Sequence, residues 1–374
     1  MHKIFAVFLA ATLFFSLHVQ AVGSEEPRVG AKGAAVMEAG TGRLLFAQNE
    51  HERLPMASTT KIMTALIALE QEYVNDEFTV DPGAIRVEGS SMGLQEGDTV
   101  TLHALAVGML LHSGNDAANA AAVRISGCTD AFVEKMNRRA AEIGMTSTNF
   151  ETPSGLDGEH HYSTAYDMAL LAREAISNEA FVGICSQYKL RASYGNPPYP
   201  RWLKNHNRLL SYCDGVFGVK TGFTKKAGRC LVSAARREGV ELICVTLGCP
   251  DDWTTHQTLY DHFFSRLEIQ DLSVGMPTVY LPVVGGGQPQ VSAIPSGDAP
   301  VALPTEGGQI RYEQSLPPFL YAPVQKGQYL GEASVFLDDE KVATLSLIAG
   351  EDVPHPPGFK EKKGIFERIS DLID

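Results

Sequence analysis

The stretch MASTTKIMTALIALE, residues 56–70, places Ser58 and Lys61 three positions apart at the start of an apolar run. Residues three apart lie on the same face of a helix. Apolar side chains recur at helical spacing from Ile62 to Leu69, so we predict a helix that packs against the core. Two interpretations of the pair stay open at this point. Ser58 is a helix N-cap with Lys61 on the surface, or Ser58 is a nucleophile and Lys61 its base.

The second interpretation requires an uncharged amine at Lys61. A lysine with the ordinary pKa of ~10.4 is almost fully protonated at neutral pH. Burial or a second cation nearby lowers that pKa by several units. A neutral Lys61 can then take the proton of Ser58 as the serine attacks a carbonyl. Such a site also needs a second positive charge, a hydrogen-bond partner for the substrate and backbone N–H groups for the oxyanion.

Two further motifs supply these groups. HSGND contains Ser113 and Asn115 at the junction of two helices predicted within the alanine-rich stretch 101–127. GVKTGFT places Lys220 on a predicted strand, and Thr221 follows it. The patterns S-x-x-K and S-x-N each occur a second time, but outside the expected helix start and helix junction, and we set these copies aside. They are Ser186–Lys189 and Ser147–Asn149.

The three motifs, in this order, resemble the S-x-x-K, S-x-N and K-T-G trio of penicillin-binding proteins and serine β-lactamases. The flanking stretches 34–66, 149–172 and 214–248 resemble the low-molecular-weight D-alanyl-D-alanine carboxypeptidases, peptidase family S11. Residues 320–349 resemble the C-terminal β-sandwich domain of that family. The resemblance covers nearly the whole chain after the predicted signal peptide, from about residue 31 to about residue 360.

The resemblance implies an acyl-enzyme mechanism centred on Ser58. Ser58 would attack the carbonyl of the penultimate D-alanine, and Lys61 would be its general base. Ser113 would relay the proton to the departing D-alanine. The backbone N–H groups of Ser58 and Phe223 would form the oxyanion hole.

The resemblance also implies the residues that bind substrate. Asn115 would hold the substrate amide, while Lys220 and Thr221 would bind the terminal carboxylate. Gly222 completes the K-T-G motif beside them. The glycine-rich loop 88–100 resembles a family loop that borders the site.

We therefore expect a serine-type D-Ala-D-Ala carboxypeptidase that acts on the pentapeptide stems of peptidoglycan and is acylated and inhibited by β-lactams. Two alternatives remain open. The same motifs serve a D,D-endopeptidase or a β-lactamase, and a non-catalytic cell-wall-binding module could keep the fold. We expect no cofactor and no metal, since His160 and His161 lack the spacing of metal ligands.

The composition of the chain agrees with an ordinary globular protein of two domains. Its 374 residues are 44% hydrophobic and 20% charged. The formal net charge of −13 makes the protein a poor generic binder of nucleic acid, and we expect no nucleic-acid partner.

Strands are predicted within 34–49 and 214–249, with helices between them. This order indicates an α/β domain of the β-lactamase and transpeptidase type, in which helices flank an antiparallel sheet. After residue 270, proline and glycine become frequent and helical periodicity disappears, which favours a small all-β sandwich domain. The predicted organisation is a signal peptide over 1–21, a penicillin-binding serine peptidase domain over 22–270, a C-terminal β-sandwich domain over 271–357 and a short amphipathic tail over 358–374.

The two ends of the chain carry the expectations about location. Residues 1–21 have a basic start, a short apolar run and VQA before the cleavage site, the pattern of a signal peptide. We therefore expect an exported, extracytoplasmic protein, in the cell wall or periplasmic space. The tail has an apolar face and several lysines. It is expected either to contact the outer face of the cytoplasmic membrane peripherally or to pack on its own domain.

The six cysteines leave two interpretations open. An even number in an exported chain permits disulfides, and Cys230 and Cys244 flank a predicted hairpin turn. Free, buried cysteine is the favoured alternative, because a chain of this length needs no covalent staples.

Overall fold

The computed structural model describes residues 27–359. The predicted signal peptide over 1–21 and residues 360–374 of the predicted tail lie outside the described residues. The helices are α1 Lys61–Leu69, α2 Leu102–His112, α3 Asn115–Ser126, α4 Thr129–Ile143, α5 Ala165–Ile176, α6 Glu179–Cys185 and α7 Asp252–Phe264. Short 3-10 helices span Ala57–Thr60 and Arg208–Ser211.

The strands of the N-terminal part are β1 Gly33–Glu38, β2 Leu44–Gln48, β3 Phe78–Thr79, β4 Thr99–Val100, β5 Lys189–Gly195, β6 Pro198–Lys204, β7 Val216–Thr224, β8 Gly228–Arg237 and β9 Val240–Leu247. We call the described residues after α7 the C-terminal part. Its strands are β10 Leu267–Asp271, β11 Val279–Val284, β12 Gln290–Pro295, β13 Pro300–Pro304, β14 Ile310–Ser315, β15 Leu320–Tyr321, β16 Tyr329–Leu337 and β17 Glu340–Ala349.

A five-stranded antiparallel sheet forms the centre of the N-terminal part. Its order is β2-β1-β9-β8-β7, so strands from both ends of this region meet in one sheet. The strands predicted within 34–49 and 214–249 are confirmed: the first range forms the antiparallel pair β1–β2, and the second forms the three consecutive strands β7–β9. A smaller four-stranded sheet has the order β3-β4-β5-β6. The expected α/β class with an antiparallel sheet and flanking helices is therefore confirmed.

Helix α1 is buried along its whole length, from Lys61 to Leu69, at the centre of the helical layer. It packs against α2, α3 and α5. Alanines on α3 are fully or almost fully buried, and their small side chains let the neighbouring helices approach closely. The core formed in this way holds the start of α1 in a fixed position beside β7.

The predicted break within 101–127 is confirmed. Helix α2 ends at Ser113, which adopts the left-handed conformation with φ of 59°, and α3 begins at Asn115. The left-handed residue turns the chain, so that the two motif side chains lie at one helix junction. Thr164 caps α5 by accepting a hydrogen bond from the N–H of Asp167.

The C-terminal part is β-rich, as expected. A six-stranded sheet has the order β14-β16-β17-β12-β11-β15, and β10 pairs with β13. Its core is built from apolar side chains such as Val291, Val335 and Leu347. The predicted boundary near residue 270 falls inside β10.

All six cysteines lie within the described residues and are free, five of them buried. The interpretation as free, buried cysteine is confirmed for these five, whereas Cys128 is exposed. Cys230 and Cys244 sit on neighbouring strands, but their register partners are Leu247 and Ser233. Within residues 27–359, no helix has the length and apolarity needed to cross a membrane.

Candidate active site

Ser58 lies in the 3-10 turn that immediately precedes α1, and Lys61 is the first residue of that helix. Lys61 is completely buried, so its interpretation as a surface lysine is wrong. Ser58 is not the N-cap either, because α1 has Thr60 at that position and no side chain caps it. The Nζ atom of Lys61 lies 3.0 Å from Oγ of Ser58, close enough for direct proton transfer.

Two other oxygens surround the amine of Lys61. Oδ1 of Asn115 lies 2.7 Å from Nζ, and the backbone oxygen of Ser154 lies 2.5 Å from it. The amide of Asn115 is oriented by its own Nδ2, which donates to the backbone oxygen of Glu88 at 2.6 Å. Both oxygens are therefore acceptors only. A neutral amine has two N–H bonds and one lone pair. When the N–H bonds go to these acceptors, the lone pair is left for the hydroxyl of Ser58.

The surroundings favour this neutral state. Burial lowers the pKa of Lys61 well below its ordinary value, and the positive charge of Lys220 lowers it further. The carboxylate of Asp116 acts in the opposite direction but is the smallest of the three influences. Lys220 is itself 1% exposed, and burial lowers its pKa to about 7. Lys220 is therefore partly charged near neutral pH, whereas burial and the charge of Lys220 together favour the neutral form of Lys61.

Strand β7 brings the K-T-G motif to the turn that contains Ser58. It is an edge strand of the five-stranded sheet, and it packs against the 3-10 turn. A Cβ on Gly222 would lie 3.0 Å from the backbone oxygen of Met56 and 3.1 Å from the nitrogen of Ser58. Glycine therefore allows the close approach of the two backbones. Lys220 donates to the backbone oxygen of Thr221 at 2.8 Å.

A cavity of about 580 Å³ opens above this arrangement. Ser58, Ser113, Thr221, Gly222 and Phe223 line it, together with Ser90, Lys204, Asn205, His206, Arg208, Arg229, Asp252 and Trp253. Lys61, Asn115 and Lys220 are buried beside this lining. Nζ of Lys61 contacts Ser58 and Asn115, and Nζ of Lys220 contacts the backbone oxygen of Thr221. The structure therefore brings all eight residues predicted from the motifs to one site. A larger cavity of about 890 Å³, between the N- and C-terminal parts, contains none of them.

Family comparisons agree with this geometry. The family model for D-alanyl-D-alanine carboxypeptidase (Peptidase S11) matches residues 20–251, more than half of the chain. The chain belongs to the D-alanyl-D-alanine carboxypeptidase family. A second model, for the penicillin-binding protein 5 C-terminal domain, matches residues 272–355. Members of this family work through a serine acyl-enzyme and bind β-lactams.

Individual relatives extend over most of the chain. D-alanyl-D-alanine carboxypeptidase DacF of Bacillus subtilis is 35% identical over 337 residues, covering 86% of each chain. DacC of Escherichia coli is 31% identical and covers 93% of this chain and 89% of its own. The crystal structure of penicillin-binding protein 5 from Haemophilus influenzae is 30% identical with a TM-score of 0.71, and the match covers 89% of this chain and 100% of that chain. These similarities support a serine carboxypeptidase.

The second copies of two motifs lie away from this carboxypeptidase site. Ser186 follows the end of α6, and Lys189 is exposed on β5. Ser147 and Asn149 lie in the loop before α5, where Asn149 forms a bridge with Tyr162. Setting these copies aside was therefore correct, and Ser186 and Lys189 provide matched controls for mutagenesis.

Asp116 supports the site but was missed in the sequence. Its carboxylate accepts hydrogen bonds from the backbone N–H groups of Met92, Gly93 and Leu94 and from the hydroxyl of Ser91. These bonds fasten the loop 88–100 to the start of α3, and Ser90 of that loop lines the cavity. The expectation that this loop borders the site is confirmed. The sequence did offer one indication of this role: Asp116 lies in the first turn of a predicted helix, where a carboxylate is favourable.

His161 lies in a loop before α5, and its ring is buried. Its Nδ1 accepts from the backbone N–H of Glu151 at 2.9 Å, so its proton is on Nε2, which lies 2.8 Å from Oγ1 of Thr60. Burial lowers the pKa of His161 to about 4, so the ring is neutral at pH 7. Thr60 in turn donates to the oxygen of Ala57, a non-glycine residue with φ of 51° beside Ser58. Through Thr60, the ring of His161 therefore helps to hold the strained backbone at Ala57, next to Ser58.

Proposed function

We propose that this D-alanyl-D-alanine carboxypeptidase releases the terminal D-alanine of peptidoglycan stem peptides through an acyl-enzyme on Ser58. The observation that carries the assignment is the hydrogen-bond set of Lys61. Nζ of Lys61 lies 3.0 Å from Oγ of Ser58, and its other two partners, Oδ1 of Asn115 and the oxygen of Ser154, can only accept. A neutral amine that donates to these two acceptors therefore has its lone pair free for the proton of Ser58.

In the acylation step, Oγ of Ser58 forms a bond to the carbonyl carbon of the penultimate D-alanine. Its proton passes to Nζ of Lys61. The tetrahedral oxyanion is held by the backbone N–H groups of Ser58 and Phe223. The C–N bond to the terminal D-alanine then breaks, and the proton on Lys61 reaches the departing nitrogen through the hydroxyl of Ser113. D-alanine leaves as the free amino acid.

In the deacylation step, water adds to the ester carbon and gives its proton to Lys61. The bond between the carbon and Oγ of Ser58 breaks, and Ser58 recovers its proton. The product is a stem peptide shortened by one residue. During binding, charged Lys220 and the hydroxyl of Thr221 hold the terminal carboxylate, and the amide of Asn115 holds the substrate backbone. Gly222 keeps the strand close to the nucleophile.

We include the cellular location of the protein and the limits of its domains in the same proposal. A leader over 1–21 exports the protein to the cell wall or periplasmic space. The tail over 358–374 provides a peripheral contact with the outer face of the cytoplasmic membrane. The peptidase unit spans 22–270, and the β-sandwich unit spans 271–357. The match of the two family models to 20–251 and 272–355 supports this division.

The direct test is to locate the penicillin adduct. We expect a peptide containing Ser58 to carry the added mass after digestion and mass spectrometry, and Ser58→Ala to abolish the adduct. Ser186→Ala, from the second S-x-x-K copy, is the matched control and should label like the natural protein. An adduct that persists in Ser58→Ala would disprove the assignment of the nucleophile.

The alternatives are separated by the product. Release of D-alanine from a diacyl-Lys-D-Ala-D-Ala peptide is expected for the carboxypeptidase. Cleavage of cross-linked dimers without release of D-alanine would indicate an endopeptidase. Rapid turnover of penicillin would indicate a β-lactamase, whereas binding of peptidoglycan with neither penicillin adduct nor product would indicate a binding module.

A further inference from the structure

The hairpin of β5 and β6 carries an exposed face of cations and aromatic rings. We call Tyr188, Lys189, Arg191, Trp202 and Lys204 the hairpin face. Lys189 is paired in register with Lys204, and Arg191 with Trp202, so these side chains share one side of the sheet. Trp202 is 58% exposed and Tyr188 48% exposed. The other side of the hairpin is buried, through residues such as Tyr194 and Leu203.

Within the described part of the chain, no acidic side chain neutralises the charges of the hairpin face. None of the ion pairs found among residues 27–359 includes Lys189, Arg191 or Lys204. Like charges placed directly opposite on neighbouring strands are destabilising, as in the pair Lys189 and Lys204. Instead, Nζ of Lys189 lies 4.8 Å from the ring centre of Trp202, and Nζ of Lys204 lies 5.0 Å from that of Tyr188. The chain has a net charge of −13, so this patch of positive charge stands out from the rest of the protein. Such a patch attracts an anionic partner.

The hairpin face is continuous with the candidate active site. Lys204 belongs to the face and also lines the cavity that contains Ser58. Asn205 and His206 follow it along the same wall, and the N–H of Asn205 donates to the oxygen of Tyr188. A polymer whose peptide end enters the cavity can therefore continue across this surface.

We propose that the hairpin face binds the peptidoglycan polymer beyond the stem peptide that is being cleaved. Its cations pair with free carboxylates on neighbouring stem peptides, and its exposed rings lie against sugar rings of the glycan strand. The proposal rests on the proposed function, because it takes the polymer that supplies the stem peptide as the partner. Charge complementarity and the shared residue Lys204 favour this occupant over an unrelated acidic protein.

The test compares two variants with the same change in net charge. Lys189→Glu with Arg191→Glu alters the hairpin face outside the cavity. Lys326→Glu with Lys341→Glu alters exposed residues of the C-terminal part. The probe is purified insoluble peptidoglycan, stripped of attached phosphate polymers by acid, in a cosedimentation assay at low salt. We expect the hairpin variant to bind about tenfold or more weakly and the control variant to bind like the natural protein.

Release of D-alanine from a short diacyl-Lys-D-Ala-D-Ala peptide should be unchanged in both variants. Release from the polymer should show a higher KM in the hairpin variant alone. Trp202→Ala should weaken polymer binding at any salt concentration, and amidation of the polymer carboxylates should weaken binding of the natural protein.

Equal polymer binding by the two charge variants would overturn the proposal. So would a hairpin variant that loses binding only to phosphatidylglycerol vesicles, which would assign the face to a membrane surface. Failure of the proposed function has a different signature. In that case the natural protein releases no D-alanine from the short peptide, whatever the polymer binding shows.

Discussion

The N-terminal and C-terminal parts of the molecule differ in what they bury. Every buried polar or charged side chain among residues 27–359 lies between Glu38 and Tyr260. The core of the C-terminal part, from Leu272 to Val353, is apolar throughout. Moving a charged amine from water into the protein interior costs free energy. Two buried lysines therefore indicate that the N-terminal part contains the functional site, since they do not serve its stability.

The N-terminal part retains its buried lysines at a cost to the free energy of folding. Lys61 and Lys220 both have pKa values below those of exposed lysines, because burial disfavours their charged forms. The C-terminal part has no comparable group within its described core and is stabilised by apolar packing of its strands. Substitutions of the buried lysines should therefore act mainly on rate, whereas truncations in the C-terminal core should act on stability alone.

The largest effect is expected from Lys61→Ala. Removal of the base should slow acylation by a fluorescent penicillin by about 10²–10⁴-fold, the usual contribution of a general base. Stopped-flow or quenched labelling gives the rate. Lys189→Ala, from the second S-x-x-K copy, serves as the control and should react at the natural rate. A Lys61→Ala variant within a few-fold of the natural rate would remove the contrast between the two parts.

Leu347→Ala should have the opposite pattern. Leu347 is fully buried in the C-terminal core, and truncation should destabilise that part by about 2–5 kcal/mol. The penicillin acylation rate at 25 °C should stay the same, because the site lies in the N-terminal part. Calorimetry and labelling measure the two quantities. Exposed Ser346→Ala is the control, with a stability change within about 0.5 kcal/mol. A large loss of acylation in Leu347→Ala would show that the two parts are coupled.

The pH dependence of kcat/KM should report both lysines. At low pH the rate should rise with pH as Lys61 loses its proton. Above pH 7 it should fall about tenfold per pH unit, because Lys220, with a pKa of about 7, loses the charge that binds the carboxylate. A substrate with a terminal carboxamide should lack the falling limb. A flat profile from pH 6 to pH 9 with the carboxylate substrate would contradict these roles.

A smaller effect is expected on stability. Lys220→Met should raise Tm by about 2–4 °C at pH 6, because it removes a buried amine that is charged there. The pKa of Lys220 is about 7 when folded and 10.5 in its ordinary state, so the unfolded chain binds more protons between these values. The free energy of unfolding of the natural protein therefore rises with pH between about 7 and 10.5. The difference in Tm between Lys220→Met and the natural protein becomes smaller over the same range. Melting curves at pH 6 and pH 9 measure this difference. A variant destabilised equally at both would contradict it.

Much of the site could be predicted because its parts lie on regular elements. The S-x-x-K spacing lies at the start of a helix, the S-x-N motif at a helix junction and K-T-G on a strand, and local patterns indicate all three. The same reasoning placed β1, β2 and β7–β9. It did not identify β5 and β6, whose prolines and charges obscure the alternation of a strand.

Other parts of the site have no local signal. The oxygen of Ser154 contacts Lys61, but any residue has a backbone oxygen, so only the fold shows which one is used. The approach of Gly222 to Ser58 likewise depends on how β7 packs against the turn. His161 contacts Thr60 across a distance of 101 residues in sequence, and nothing near either residue indicates the pairing.

The most direct measurement is the titration of the Lys61 amine in the free enzyme. Carbon-13 NMR of protein labelled at the lysine Cε positions, with Lys61→Arg to assign the resonance, follows its charge. We expect the Lys61 resonance to titrate at a pH well below that of the exposed lysines, because burial and the charge of Lys220 lower its pKa. A resonance that titrates near 10.5, like an exposed lysine, would contradict the account of Lys61 as the base of Ser58.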